Sequence, residues 1–170
     1  MSEVENFSKY LKFLVDSAGR WGSITGALDY WIWIIGDPEF IETGSYSGFE
    51  TKEGHWVACK SAQNQIYPNR EEKHPFPLDV LEKITSHTAI TLGEFELGET
   101  ILIDNINPLR FCKNLQSLDI CGNMVKTLEP IWHHKYIHTI WMEQTKVPDN
   151  EREKFELEHP DCKVYTQIFN

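Results

Sequence analysis

The second half of the chain contains a short pattern of apolar residues that returns at nearly constant spacing. In residues 115–123 apolar side chains occupy the first, fourth and sixth positions, and asparagine occupies the ninth. Residues 137–145 repeat this template 22 positions later with threonine in the ninth place, and residues 97–105 match it 18 positions earlier with one polar fault. The same step, taken onward from Met142, leads to Val164. This period predicts stacked units, because one short strand carries too few inward side chains to fold alone.

The pattern resembles the leucine-rich repeat family, whose unit is LxxLxLxxN at a period of roughly 20 to 29 residues. The resemblance covers about residues 95 to 168, and residues 155–164 resemble the closing repeat of irregular bacterial members. It implies a solenoid of short parallel strands and a family of interaction scaffolds. Asparagine in the ninth position can satisfy backbone groups where the chain leaves the strand. We therefore expect a structural role for Asn105 and Asn123, whereas Thr145 departs from the pattern.

The predicted fold class is α+β, with an N-terminal α/β capping region in residues 1–75 and a short leucine-rich-repeat solenoid in residues 76–170. Pro77 can begin a helix whose face holds Leu78, Leu81 and Ile84. Residues 40–43 are predicted to be extended, and residues 30–35 fit a helix or a strand. Near the N-terminus, apolar residues recur at spacings of three and four residues, which predicts a helix with an apolar stripe. This stripe consists of Phe7, Tyr10, Leu11, Phe13 and Leu14.

The charge balance excludes one class of partner. Sixteen basic residues stand against 26 acidic ones, which gives a formal net charge of −10. A surface that follows nucleic-acid phosphates needs the opposite sign. The longest apolar run is far below the roughly 18 residues of a membrane span, and the N-terminus lacks the apolar core of a secretory signal. We therefore expect a cytoplasmic protein with reduced cysteines that binds neither nucleic acid nor membrane.

Side chains that alternate with the inward residues of the stacked strands would form an open outer surface. Tryptophan and tyrosine often anchor protein interfaces, and acidic neighbours accelerate the encounter with a basic protein. The sequence thus predicts a non-catalytic protein-binding module with a basic partner, and an immunity protein that neutralises a basic toxin fits its size and charge. The middle row of this surface is predicted to hold Ile101, Asp119, Trp141 and Lys163, and the next row includes Glu143 and Tyr165.

Two other functions are compatible with the sequence. A metal-dependent enzyme could use His133, His134 and His138 with Glu143, but no HExxH motif is present and the repeat places the first two histidines away from Glu143. A cysteine-dependent enzyme could use Cys59 with His55 and Asp79, although no local signature surrounds this cysteine. The chain could also be a structural repeat fragment of a larger assembly. No metal or cofactor is expected.

Overall fold

Short helices and strands alternate along the part of the chain that the computed structural model describes, which comprises residues 2–17, 31, 34–35, 38–45, 49–50, 56–57, 77–92 and 103–167. The α-helices there are α1 (Glu3–Ser17), α2 (Pro38–Thr43), α3 (Leu78–Thr85) and α4 (Asp149–Glu158). Two 3-10 helices are η1 (Asn107–Phe111) and η2 (Glu129–Ile131). The strands are β1 (Phe49–Glu50), β2 (Trp56–Val57), β3 (Ala89–Thr91), β4 (Ser117–Asp119), β5 (Thr139–Trp141) and β6 (Lys163–Tyr165).

The strands β3 to β6 form a parallel sheet in which spatial order follows chain order. Each of β3, β4 and β5 is followed by a crossover that returns the chain to the start of the next strand. The crossovers contain η1, η2 and α4 in turn. Strands β1 and β2 form a separate antiparallel pair. The α+β prediction is therefore confirmed at the level of helices combined with a four-stranded parallel sheet.

The register of this sheet corrects two sequence assignments. The inward row is Ile90, Leu118, Ile140 and Val164, so the first spacing between strands is wider than the two that follow. The strand beside β4 is β3, where the repeat predicted the copy at residues 97–105, and residues 97–102 of that copy lie outside the described residues. Val164 pairs with Ile140 and not with Met142. Because side chains alternate with a period of two, this two-residue displacement leaves Val164 on the predicted face.

Burial separates the two sides of the sheet. Leu118 and Ile140 are 0% exposed, whereas the residues on either side of each in its strand are partly exposed, Trp141 the most at 40%. Ile120 and Met142, the sixth positions of their repeats, are 0% and 4% exposed. An apolar side chain of this size gains about 1.5 to 3 kcal/mol from full burial. The predicted sorting of inward and outward residues is therefore confirmed for β4 and β5.

Asn123 has the structural role that its place in the template predicts. Its side-chain amide donates to the carbonyl oxygens of Leu92 (2.8 Å), Ile120 and Cys121 (both 3.3 Å), and its Oδ1 accepts from the backbone N–H of Ile103 at 3.0 Å. These bonds join the backbone next to β3 to the turn after β4. The side chain is 5% exposed, so water does not readily replace these partners.

Thr145 and Asn105, the residues at the ninth position of the other two template copies, make fewer hydrogen bonds to the backbone than Asn123 does. Thr145 Oγ1 donates to the carbonyl oxygen of Met142 at 3.0 Å, which reproduces one of the bonds of Asn123. Asn105 Oδ1 accepts from the backbone N–H of Asn107 at 3.2 Å, at the start of η1. Its structural role is confirmed, but it acts at a 3-10 helix and not in a turn that directly follows a strand of this sheet.

The helices of the first half pack against the sheet region. Phe7 of α1 is buried and stacks on Phe111 of η1 with 4.9 Å between ring centroids. Phe13 is 65% exposed, so it does not belong to the buried stripe of α1 as predicted. Trp31 is helical and buried, and its indole N–H donates to the carbonyl oxygen of Asn105 at 2.8 Å. In α3, Leu81 and Ile84 are buried as predicted, while Leu78 is 51% exposed.

The prediction of an extended segment at residues 40–43 is wrong, because these residues belong to α2. Pro38 begins this helix, where its fixed φ is favourable and its missing N–H costs nothing. The chain then turns at Gly44, whose φ is +71°, and Ser45 forms a parallel bridge with Thr91. Thr91 N–H also donates to the carbonyl oxygen of Gly44 at 2.9 Å. The segment after α2 therefore covers the outer edge of β3.

Replacing Gly44 with alanine is expected to lower the free energy of unfolding by about 2 kcal/mol, because a positive φ is unfavourable for a residue with a side chain. A Cβ at this position would also lie 2.4 Å from the carbonyl oxygen of Ala89. Urea unfolding monitored by circular dichroism measures the change. Ser45→Ala is the matched control, since Ser45 pairs through its backbone; equal stabilities of the two variants would contradict this account of the turn.

The buried apolar side chains form one cluster that extends from Phe7 in α1 to Phe155 in α4. The predicted boundary between residues 75 and 76 lies outside the described residues, so the division into two regions stays a prediction. Among the helices described, none is both long and apolar enough to cross a bilayer.

Candidate functional site

The outward side chains of β3 to β6, together with Glu143 just after β5, form a surface that we call the strand face. Its first row is Ala89, Ser117, Thr139 and Lys163, and its second row is Thr91, Asp119, Trp141 and Tyr165. Two residues beyond the second row, Glu143 follows β5 and is partly exposed, whereas Cys121, which follows β4, is only 2% exposed and adds no open surface. The strands are about 4.8 Å apart, so side chains in one row are direct neighbours.

This register changes the neighbours of three predicted site residues. Lys163 lies beside Thr139 and not beside Trp141, and Tyr165 lies beside Trp141. The position next to Asp119 belongs to Thr91, whereas Ile101 was predicted there and itself lies outside the described residues. Asp119 and Trp141 keep the strands and the outward face that the repeat predicts, and Glu143 lies two residues beyond Trp141, just after β5. The shift brings the two large aromatic side chains together in one row.

Trp141 and Tyr165 form a stacked aromatic pair on this surface. Their ring centroids are 5.7 Å apart and the rings deviate from parallel by 14°. Trp141 is nevertheless 40% exposed. Large exposed aromatic side chains are costly to leave in water and contribute strongly to binding when a partner covers them. Stacking also fixes the orientation of the indole before any partner arrives, which reduces the entropic cost of association.

Two carboxylates lie beside this pair. Asp119 Oδ1 accepts a hydrogen bond from the backbone N–H of Cys121 at 3.0 Å, which holds the carboxylate on the strand face. The backbone of Glu143 accepts from Gly122 N–H at 2.8 Å, so the two turns are joined. The Oε2 atom of Glu143 is buried and has no hydrogen-bond partner among the described residues.

The thiol of Cys121 lies between these acids but is not a reactive nucleophile. Burial, followed by the charge of Asp119 and a hydrogen bond to it, raises the pKa of the Cys121 thiol to about 12. Burial likewise raises the pKa of Cys112 to about 12 and that of Cys162 to about 11. Thiols with such pKa values are protonated at neutral pH. The predicted alternative with Cys59 and His55 lies outside the described residues, and Asp79 is exposed on α3.

The histidines of the metal alternative have separate environments. His134 is buried and its Nε2 donates to the carbonyl oxygen of Leu109 at 2.9 Å. His133 is exposed and lines an open groove of about 490 Å³ beside Trp132. His138 Nδ1 lies 2.8 Å from the hydroxyl of Thr139. Within the part of the chain that the structure describes, no three His, Cys, Asp or Glu side chains are placed to hold a metal ion.

The groove beside Trp132 is built from groups that join α4 to the crossover between β4 and β5. Glu151 Oε1 accepts from the hydroxyl of Thr127 at 2.7 Å and from the N–H of Leu128 at 2.6 Å. The ammonium of Lys154 lies 5.1 Å from the centre of the Trp132 ring. Because these polar groups already have partners within the protein, the groove is a weaker candidate than the strand face.

We expect stability to depend on pH through His134. Burial lowers the pKa of this histidine below its usual 6.5, and the positive charges of Lys113 and His159 act in the same direction, while backbone hydrogen bonds oppose it. The unfolded chain therefore binds the proton more readily, so stability is complete above about pH 6.5 and falls as the pH drops below that value. Urea unfolding at pH 7 and pH 5 measures this loss.

The variant that checks this prediction is His134→Gln, which should show a smaller loss of stability between pH 7 and pH 5. His133→Gln removes an exposed histidine at the adjacent position and should leave the pH dependence of the original protein unchanged. A His134→Gln variant with the full pH dependence would assign the effect to other groups.

Sequence reasoning missed Thr91 in the second row and the contact between Asp119 and Cys121. A signal for the first was present, because Ile90 and Leu92 alternate with polar residues as Leu118 and Ile120 do. The segment that contains Ile90 has no apolar residue at the first position of the template, so residues 97–105 matched the template better. No protein-family model matches this sequence, and a search of curated proteins finds no significant match.

Proposed function

We propose that this chain is a non-catalytic protein-binding module that recognises a basic partner protein through its strand face. The proposed architecture is a short leucine-rich-repeat solenoid whose first strand is capped by the N-terminal half. Parallel strands in chain order, similar spacings between the last three of them, and the buried Asn123 support it. The template supports it as well, because its fourth positions in β4 and β5 and its sixth positions just after these strands are buried.

The observation that carries the functional proposal is the stacked pair of Trp141 and Tyr165 on an open sheet surface. A tryptophan needed only for packing would be expected inside the protein, where its large apolar area is removed from water. Trp141 instead keeps 40% of its surface exposed while its ring is held in place. An ordered, partly exposed aromatic side chain on a sheet is typical of an anchor at a protein interface.

Charge supports a basic partner. The chain has a net charge of −10, and the aromatic pair is flanked by Asp119 and Glu143. Complementary charge accelerates association and excludes partners of the same sign. A narrower form of the proposal is an immunity protein in the cytoplasm that neutralises a basic toxin. Blocking the toxin needs a fixed binding surface and no catalytic turnover. The general form needs only a basic protein partner.

Affinity capture from native lysate at low and high salt, quantified by mass spectrometry, tests the proposal. The double variant Trp141→Ala with Tyr165→Ala should reduce recovery of the main captured protein at least about tenfold, because each aromatic anchor contributes roughly 2 kcal/mol or more. Tyr136→Ala is the matched control, since this aromatic residue is 60% exposed and lies outside the strand face.

The captured protein should be basic, and its recovery should fall as salt rises. Recovery that is the same for the double variant and the Tyr136→Ala control would exclude the strand face as the binding surface. If no protein is captured in stoichiometric amount at either low or high salt, the result would favour a structural role within a larger assembly.

A further inference from the structure

The side chains in the second row of the strand face differ in length between its two halves. Thr91 and Asp119 are short side chains on β3 and β4, whereas Trp141 and Tyr165 are long side chains on β5 and β6. Tyr165 covers one face of the indole with its own ring. Because β5 lies between β4 and β6, the other face of the indole is on the side of Asp119. The row therefore forms a step with an aromatic wall and a carboxylate at its foot.

We infer that this step receives an arginine side chain of the partner protein, an assignment that rests on the proposed binding function of the strand face. A guanidinium group is flat, so it can lie parallel to the open face of the Trp141 indole and direct its N–H groups towards the Asp119 carboxylate. Arginine also loses less hydration than lysine when it enters a partly covered site. The occupant is thus one side chain of defined chemistry.

The surrounding groups fit this occupant. The backbone N–H of Cys121 holds Asp119 Oδ1 at 3.0 Å, and a carboxylate accepts several hydrogen bonds, so capacity for a guanidinium remains. Glu143 follows Trp141 by two residues and adds a second negative charge to this part of the strand face. Lys163, the nearby base on this face, is on β6 and thus on the far side of the indole from Asp119.

The test uses three short peptides, acetyl-Gly-X-Gly-amide, with arginine, lysine or citrulline as the central residue. Two-dimensional NMR of the 15N-labelled chain follows the indole N–H signals, and the Trp141→Phe variant assigns the signal of Trp141. The arginine peptide should shift this signal with an affinity at least about threefold higher than that of the lysine peptide, because only arginine can stack and pair at once. Citrulline keeps the shape without the charge and should bind more weakly than either.

Two variants that each remove one negative charge locate the site. Asp119→Asn should weaken binding of the arginine peptide at least about fivefold, because it loses a charge-assisted hydrogen bond. Glu153→Gln removes an exposed acid on α4 and should change the affinity less than about twofold, since the Debye length limits distant charges. The spectra of both variants also report that the fold is retained.

Equal affinities for the arginine and lysine peptides, or equal effects of Asp119→Asn and Glu153→Gln, would overturn the assignment. If partner capture still depended on Trp141 and Tyr165 in that case, the strand face would remain the binding surface, and the step would receive a side chain other than arginine. A second outcome is selective binding of the arginine peptide at Trp141 while partner capture is unaffected by the Trp141→Ala and Tyr165→Ala double variant. This outcome would support the step as an arginine site and reject the proposed function. The two failures are therefore distinguishable.

Discussion

The variant Asn123→Ala should unfold with a free energy about 3 kcal/mol or more below that of the original protein. The substitution removes four hydrogen bonds from a side chain that is 5% exposed. It leaves the N–H of Ile103 and the carbonyl oxygen of Leu92 without their side-chain partner, and both residues are at most 3% exposed. Each buried polar group that loses its partner costs roughly 1 to 3 kcal/mol. Urea unfolding followed by tryptophan fluorescence measures the change.

Thr145→Ala provides the comparison within the same fold. Thr145 occupies the ninth position of the next repeat, is partly exposed, and makes one side-chain hydrogen bond, to Met142, at 3.0 Å. Its loss should cost about 1 kcal/mol, because the carbonyl oxygen of Met142 still accepts from the backbone N–H of residue 145. The ratio of the two effects tests whether the asparagine of this template joins neighbouring units. A small effect of Asn123→Ala, equal to that of Thr145→Ala, would mean that it does not.

The repeat pattern predicted the two central strands because their local and global requirements agree. The fourth positions in β4 and β5 and the sixth positions just after them are buried. The following Asn123 or Thr145 bonds to the backbone of its own turn. Local alternation, burial and turn chemistry all favour one register there. The outward positions of Asp119 and Trp141 follow from the same alternation, so these residues could be identified from sequence.

The ends of the sheet could not be predicted in the same way. The position of β3 depends on Gly44 and Ser45, which pair with Thr91 although they are distant from it in the sequence. No local pattern carries information about such a partner. At the other end, Lys163–Tyr165 was assigned two residues out of register, and period-two alternation preserved the outward face while changing the neighbours. The Trp141 and Tyr165 pair therefore became visible only in the structure.

Ile140 and Trp141 are adjacent in β5, yet their substitution by alanine should affect different properties. Ile140 is 0% exposed within the core, so Ile140→Ala should lower the free energy of unfolding by about 2 to 5 kcal/mol through lost burial and a cavity. Trp141 is 40% exposed and contacts Tyr165, so Trp141→Ala should cost only about 1 kcal/mol of stability. Urea unfolding of both variants under one buffer condition compares these values.

Binding should show the opposite order. Loss of an aromatic anchor weakens association by roughly 2 kcal/mol or more, which is about thirtyfold in affinity, so Trp141→Ala should release the captured partner. Ile140→Val removes one methyl group from the core, should cost about 0.5 to 1.5 kcal/mol of stability, and should keep partner affinity within about threefold of the original, because the outward surface is intact. This variant separates loss of the surface from loss of the fold. If Trp141→Ala retained the partner while Ile140→Val lost it, recognition would depend on the integrity of the core near β5 and not on the side chains that the strand presents to solvent.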